Sequence, residues 1–121
     1  MEKKKVLIID DEEFIRELVY DFLEFKEIEC DKAENRDDAL ELISKNNYDL
    51  ILLDRNLRSF KSENMIKKIN KLNNKTPIIM LTGENEFPEN SFKELGISEV
   101  IFKPFQYDGF MNKINYYLRL K

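Results

Sequence analysis

The amino-acid sequence predicts a doubly wound α/β domain, in which helices cover both faces of a parallel β-sheet. Continuous apolar runs recur along the 121 residues and are separated by segments with the period of an α-helix. Strands that are apolar at every position are typical of a parallel sheet buried on both faces. Strand and helix alternate five times with short connections. We therefore expect a three-layer α/β/α domain with a five-stranded sheet, five helices and right-handed crossovers.

Five short segments have the composition of strands. Residues 28–33 alternate apolar and polar side chains and predict an edge strand, whereas the other segments are continuously apolar. These apolar runs are residues 6–9, 50–53, 78–81 and 100–102.

The segments between them predict helices with one apolar stripe each. Residues 86–95 are expected to form a short fourth helix that contains Pro88 and is closed by Gly96. The other four stripes lie within residues 14–23, 39–43, 65–72 and 110–118.

Composition excludes several classes of function. The formal charge of −4 arises from 24 acidic and 20 basic residues with no basic block, so neither nucleic acid nor a membrane is expected as a direct partner. The chain has no histidine, which excludes a histidine base, nucleophile or metal ligand. Cys30 is the only cysteine, and no apolar run approaches the roughly 20 residues that cross a bilayer. These features predict a soluble protein that fits a reducing, cytoplasmic compartment.

Polar residues stand at the carboxyl ends of the predicted strands, which is the edge where open α/β sheets bind ligands. Asp10 and Asp11 follow the first strand, Asp54 the third, Thr82 the fourth and Lys103 the fifth. If the first and third strands are neighbours, three carboxylates meet, and two carboxylates about 4 Å apart repel by about 4 kcal/mol at an effective dielectric near 20. Lys103 supplies one positive charge, so either a proton is taken up or a divalent cation binds.

The ligands available at this edge are oxygen atoms, which suit Mg²⁺, with Mn²⁺ as an alternative, better than zinc. Such Mg²⁺ sites are usually completed by a phosphate, which makes Asp54 a candidate nucleophile that forms an aspartyl-phosphate. The metal and Lys103 would neutralise the charge on phosphoryl oxygens, and the Thr82 hydroxyl would hydrogen-bond another phosphoryl oxygen. Alone, each of these residues would be a cap, turn or surface residue, so the hypothesis depends on their joint placement.

Four stretches resemble a known family. IIDDEE, LILLD ending at Asp54, IIMLTG and FKPF are similar to motifs of the response-regulator receiver domain of two-component signalling, in the same order and over nearly the whole chain. The resemblance implies a flavodoxin-like strand order of 2-1-3-4-5. It also implies one receiver domain over residues 1–121, with no effector domain in this chain. Such a domain is a phosphorylation-dependent switch and not an enzyme, since it promotes only its own phosphorylation and dephosphorylation.

The resemblance assigns a role to each site residue. The acceptor is Asp54, Asp11 binds the metal directly, Asp10 helps through water, the backbone carbonyl of Asn56 completes the site, and Thr82 and Lys103 carry the switch. Glu12 and Glu13 are expected only to begin the first helix.

The resemblance further implies that Asn56 and Glu84 tune the lifetime of the phosphoryl group. This pairing is similar to that of fast-cycling chemotaxis receivers and predicts a short-lived phospho-form. The donor would be a histidine kinase or phosphotransfer protein, with acetyl phosphate as a small alternative. The output would be a protein partner or a lost effector domain, with the chain as a monomer or a phosphorylation-linked dimer.

The sequence departs from the family pattern at two places. Val100 stands where many receivers have an aromatic side chain that swings inward, so a rotating aromatic cannot be the output there. Phe102, on the same strand face, is a partial substitute but is expected to be a core residue. In the loop after Asp54, Arg58 and Ser62 replace the usual proline and glycine, which predicts a more mobile loop.

Two other functions are consistent with some of these residues. A receiver-like module could signal by constitutive contacts without phosphorylation, although the complete acid set argues against it. A metal-dependent phosphohydrolase of the haloacid-dehalogenase type normally has two acids two positions apart on the first strand, whereas Asp10 and Asp11 are adjacent. Dinucleotide binding is disfavoured, because the three glycines form no glycine-rich first turn.

Overall fold

The computed structural model describes residues 3–57, 62–72, 75–83 and 94–120. They form a five-stranded parallel sheet in the order β2-β1-β3-β4-β5, which confirms the predicted fold class and strand order. The strands are β1 (Lys5–Ile9), β2 (Glu29–Ala33), β3 (Leu50–Asp54), β4 (Ile78–Thr82) and β5 (Glu99–Phe102). The helices are α1 (Glu13–Phe25), α2 (Arg36–Lys45), α3 (Ser62–Leu72) and α4 (Tyr107–Leu118). No helix in these ranges is both long enough and apolar enough to span a membrane.

The helix predicted over residues 86–95 falls outside the described residues except at its end, where Glu94 and Leu95 are helical. Gly96 follows with φ of +88°, a backbone conformation that glycine adopts without strain, as expected for a residue that closes a helix. Arg58 and Glu84, for which the sequence predicts a mobile loop and a lifetime-tuning role, also lie outside the described residues. The side chain of Ser62 lies outside them as well.

Alternate side chains of the sheet face two separate helical layers. Val6 and Ile8 belong to a core cluster with α1 and α4, whereas Leu7 and Ile9 belong to a second cluster with α2 and α3. All four of these side chains are 0% exposed, so each face of β1 is fully covered. This two-sided burial explains why residues 6–9 are all apolar. The helices on the two faces and the sheet between them make a three-layer α/β/α domain.

The two edge strands are less buried than the central ones. β2 alternates exposed and buried residues, as predicted for an edge strand. On β5, Ile101 packs in the α1/α4 cluster, while Phe102 belongs to neither cluster and is 43% exposed. The expectation that Phe102 is a core residue is therefore wrong, because it is the last residue of an edge strand.

A hydrogen-bonded network joins three segments at the amino edge of the sheet. The backbone N–H of Lys5 donates to Asp49 Oδ2 at 2.8 Å. The Tyr48 hydroxyl donates to Asp31 Oδ2 at 2.6 Å, and the Lys5 ammonium lies 3.6 Å from the same oxygen. Tyr48 is 6% exposed, so its ring and hydroxyl together anchor the segment before β3 to β2.

We expect Tyr48→Phe to lower the free energy of unfolding by about 1–2 kcal/mol, because it removes a hydrogen bond from a buried hydroxyl to a carboxylate. Urea denaturation followed by circular dichroism measures the change. The control is Tyr116→Phe, whose side chain is 75% exposed and which should change stability by less than about 0.5 kcal/mol. Equal stability of the Tyr48 variant and the wild type would show that the hydroxyl does not anchor this edge.

Candidate functional site

The parallel strands end side by side and bring polar residues to one edge of the sheet. The β3–β4 register pairs Asp54 with Leu81, which places Asp54 beside the end of β4. Asp10, Asp54 and Thr82 are buried, with exposures of 0%, 3% and 0%. Buried polar side chains at strand ends require hydrogen-bonding or ionic partners, which the surrounding elements must supply.

Lys103 connects the three strand ends. Its ammonium donates to Asp10 Oδ2 at 2.9 Å and to Asp54 Oδ1 at 3.2 Å, and its side chain is 15% exposed. Its backbone N–H donates to the carbonyl oxygen of Thr82 at 2.7 Å. Lys103 thus contacts three other residues that the sequence predicts for the site: Asp10 and Asp54 through its ammonium, and Thr82 through its backbone N–H.

Asp10 has a partner for each of its polar groups. Its N–H donates to the Ala33 carbonyl at 3.1 Å, and its own carbonyl accepts from Arg16 Nη1 at 2.8 Å. Its Oδ1 accepts from the Glu12 N–H at 2.9 Å, while Oδ2 accepts from Lys103. These four contacts fix both the backbone and the carboxylate of Asp10.

The pKa values at this edge are shifted by burial and by the close charges. Burial raises the pKa of Asp10 to about 6, although the Glu12 N–H and the Lys103 ammonium oppose the shift. Burial by itself lowers the pKa of Lys103, but hydrogen bonds and charge interactions with Asp10 and Asp54 outweigh burial, so the pKa is raised. The lysine is therefore charged at neutral pH, and Asp10 carries a negative charge that burial makes unfavourable.

The acidic cluster consists of Asp10, Asp11 and Glu12, whose carboxylate oxygens lie within 4.8 Å of one another. Glu12 is the N-cap of α1, but its side chain makes no capping hydrogen bond, and its Oε1 lies 3.9 Å from Lys103 Nζ. Sequence reasoning assigned Glu12 only to the helix start and missed its position in the cluster. An oxygen-only donor set with excess negative charge fits a hard divalent cation.

Asp54 and Asn56 lie together in the turn that follows β3. Asp54 Oδ1 accepts a hydrogen bond from the Asn56 N–H at 3.2 Å in addition to the one from Lys103. Asn56 is exposed, and its role in tuning the lifetime of the phosphoryl group stays a prediction. Its expected counterpart, Glu84, lies outside the described residues.

The fold and the site define a class of protein: a doubly wound α/β domain with an acidic pocket and a bridging lysine at the carboxyl edge of its sheet. Residues 6–115 match the model of the response regulator receiver domain, and the chain belongs to this family. Membership in the family is consistent with a phosphorylation-dependent signalling switch.

Curated relatives agree with this assignment. The chain is 40% identical over 103 residues to the transcriptional regulatory protein SrrA of Staphylococcus aureus, a match that covers 84% of this chain and 42% of SrrA. It is 34% identical over 113 residues to the sensory transduction protein LytR of Staphylococcus epidermidis, covering 92% of this chain and 44% of LytR. The chain thus spans about half the length of the curated relatives it matches.

Solved structures are similar throughout their length. A two-component response regulator from Clostridium difficile is 30% identical, with a TM-score of 0.89 and 98% of each chain covered. The chemotaxis protein CheY4 of Vibrio cholerae is 28% identical, with a TM-score of 0.88, 95% of this chain and 98% of CheY4 covered.

We expect Asp10→Asn to stabilise the domain at pH 7.5 by about 1–2 kcal/mol. The pKa of Asp10 rises from 3.8 to about 6 on folding. The folded state therefore holds the proton more tightly, and the stability from this group, full below pH 3.8, is lost as the pH rises to 6. A shift of this size corresponds to about 3 kcal/mol, from which we subtract the weakened contact with Lys103.

Urea unfolding at pH 4 and pH 7.5 measures this effect, and the gain should largely disappear at pH 4. The matched control is Asp21→Asn on the exposed face of α1, which should be neutral at both pH values. A variant less stable than the wild type at pH 7.5 would contradict the expectation.

Proposed function

We propose that this chain is a phosphorylation-dependent signalling switch of a two-component phosphorelay, in which Asp54 accepts a phosphoryl group from a histidine kinase or phosphotransfer protein. The observation that carries the proposal is the ammonium of Lys103, which contacts both Asp10 and Asp54 at the carboxyl edge. A cation in this position is suited to a group whose oxygen atoms gain or redistribute negative charge.

Phosphoryl transfer assigns one task to each residue. A carboxylate oxygen of Asp54 forms a bond to phosphorus while the bond between phosphorus and the donor breaks, and acetate leaves when acetyl phosphate is the donor. Lys103, already within hydrogen-bond distance of Asp54, neutralises part of the phosphoryl charge. The Thr82 hydroxyl, at the buried end of β4, hydrogen-bonds another phosphoryl oxygen.

The donor set fits Mg²⁺, with Mn²⁺ as an alternative. Asp11 and Asp54 would hold the ion directly, Asp10 mainly through water, and the Asn56 carbonyl would complete the set. When bound, the cation neutralises phosphoryl oxygens that one lysine cannot balance alone. The acidic cluster and the adjacent ammonium of Lys103 support this part of the proposal.

Asp54→Asn should abolish phosphorylation by acetyl phosphate in the presence of Mg²⁺, because an amide is not a nucleophile toward phosphorus. Intact-protein mass spectrometry should find one phosphoryl group on the wild type and none on the variant. Asp49→Asn is the matched control, since Asp49 precedes β3 at the opposite end of the same strand.

Modification of the Asp54 variant at another residue would contradict the proposal. A wild type that neither binds Mg²⁺ nor reacts with any donor would favour the alternative of a receiver-like module that acts by constitutive contacts. Sustained turnover of a phosphoester would favour a phosphohydrolase.

Two exposed aromatic side chains flank the site and support docking of a protein donor. Phe14 is 73% exposed and follows Asp11 by three residues, and Phe102 is 43% exposed and directly precedes Lys103. Large apolar side chains exposed beside a polar pocket are typical of protein contact surfaces. We propose that a histidine kinase or phosphotransfer protein contacts these rings in the cytoplasm.

Phe14→Ala should slow phosphotransfer from a protein donor by about tenfold, because a buried aromatic contact contributes 1–2 kcal/mol or more to such interfaces. The rate with acetyl phosphate should stay the same, since Phe14 is an exposed side chain with no role in the proposed phosphoryl transfer. Phe25→Ala is the control, as Phe25 is 76% exposed on the same helix at the end far from the site. Equal slowing by both variants would contradict a docking role specific to Phe14.

A further inference from the structure

Arg16 lies beside the acidic cluster but has no role in the proposed chemistry. Its side chain is 14% exposed, which is unusually buried for an arginine on the first turns of a surface helix. Nη1 donates to the backbone carbonyl of Asp10 at 2.8 Å, and Nη2 lies 3.8 Å from Glu34 Oε2. The guanidinium therefore spans from α1 across the β1–α1 loop to the segment after β2.

The contact with Asp10 fixes a particular peptide plane. The carbonyl that Arg16 binds belongs to the peptide bond that joins Asp10 to Asp11, so its direction determines where Asp11 leaves the strand. The N–H of Asp10 is held by Ala33, and its carboxylate is held by the Glu12 N–H and by Lys103. Without the guanidinium, the Asp10 carbonyl would lose the hydrogen-bond donor described for it. The backbone that positions the Asp11 side chain would then no longer be fixed.

The positive charge of Arg16 also lies beside the acidic cluster. Asp10, Asp11 and Glu12 are consecutive, and their carboxylate oxygens lie within 4.8 Å of one another. Lys103 contacts this cluster on the carboxylate side, and Arg16 contacts it on the backbone side. A guanidinium is suited to this position, because its planar fork reaches a carbonyl and a carboxylate at once, which a lysine ammonium cannot do with the same geometry.

We propose that Arg16 is a positioning residue for the cation site: it orients the Asp10–Asp11 peptide so that the two carboxylates converge with that of Asp54. The proposal rests on the function proposed above, and it adds Arg16 to the acidic residues already assigned to the cation site. The described contacts of the guanidinium are with the Asp10 carbonyl and Glu34, so its removal should weaken cation binding and leave the maximal phosphorylation rate unchanged.

The test compares Arg16→Met, Arg16→Gln and Arg16→Lys with the wild type in isothermal titration with MgCl₂. Both neutral variants keep an aliphatic stem, and circular dichroism checks that each is folded at the titration temperature. We expect the neutral variants to bind Mg²⁺ about tenfold more weakly, the effect typical of losing a residue that orients a ligand. Arg16→Lys should recover only part of the affinity, because an ammonium keeps the charge but not the planar fork. Arg119→Met is the matched control, because Arg119 is exposed at the C-terminal end of α4 and lines a surface pocket with Asp49, which precedes β3 at the opposite edge of the sheet.

A second readout separates positioning from a general loss of stability. With acetyl phosphate, the neutral variants should need about tenfold more Mg²⁺ for half-maximal phosphorylation and reach the wild-type rate at saturation. A folded neutral variant that binds Mg²⁺ within about twofold of the wild type would overturn the role of Arg16, as would a reduced maximal rate with unchanged Mg²⁺ dependence. Failure of the wild type itself to bind Mg²⁺ would instead overturn the proposed function.

Discussion

The contact of one ammonium with two buried carboxylates is the constraint on which the carboxyl edge of this domain depends. In a parallel sheet every strand ends at the same edge, so the acids that follow β1 and β3 are brought together whatever their charge. Lys103 Nζ lies 2.9 Å from Asp10 Oδ2 and 3.2 Å from Asp54 Oδ1. At about 3 Å each contact gains about 5 kcal/mol at an effective dielectric near 20, before the cost of burying the charges. This attraction is comparable in size to the repulsion between the two carboxylates, so both acids can lie close together at the same edge.

The positive charge of Lys103 does not fully balance the acids at this edge, and the excess of negative charge suits the edge to binding a cation. Burial still raises the pKa of Asp10 to about 6, so the ionised carboxylate lowers the stability of the folded state at neutral pH. Two hydrophobic clusters on opposite faces of the sheet offset this unfavourable interaction and hold the strand ends in register. A domain that keeps close acids in a rigid frame can bind a cation or a phosphoryl group without first rearranging.

The β1–α1 loop contributes more to the site than its two aspartates. Glu12 stands at the N-cap position of α1, donates its N–H to Asp10 and adds a third carboxylate near Lys103. Arg16 holds the Asp10 carbonyl from the helical side. In an isolated sequence a glutamate at a helix start and an arginine on an amphipathic helix are ordinary, because acids favour helix N-termini and arginines favour surfaces. The sequence therefore carries no signal that separates either residue from a structural role.

The exposure of Phe102 is another feature that the sequence alone does not predict. Phe102 ends a run of apolar residues, and such a run predicts burial. Burial at the end of an edge strand depends on whether a neighbouring element reaches it, and Phe102 is 43% exposed. Strand composition predicts the type of element reliably, but it does not report which end of the element is covered.

The sequence was sufficient to predict the order and type of the described elements, the edge position of β2, and the positions of Asp10, Asp54, Thr82 and Lys103 at strand ends. These features could be predicted because apolar periodicity and strand ends are local properties of the chain. Two contacts could be found only in the folded domain: Lys103 contacts two acids that lie 93 and 49 residues away, and a side chain of α1 holds the backbone of Asp10. Those contacts depend on strand register, helix direction and side-chain rotamers, which are set when separate elements pack together and are not encoded in any one of them.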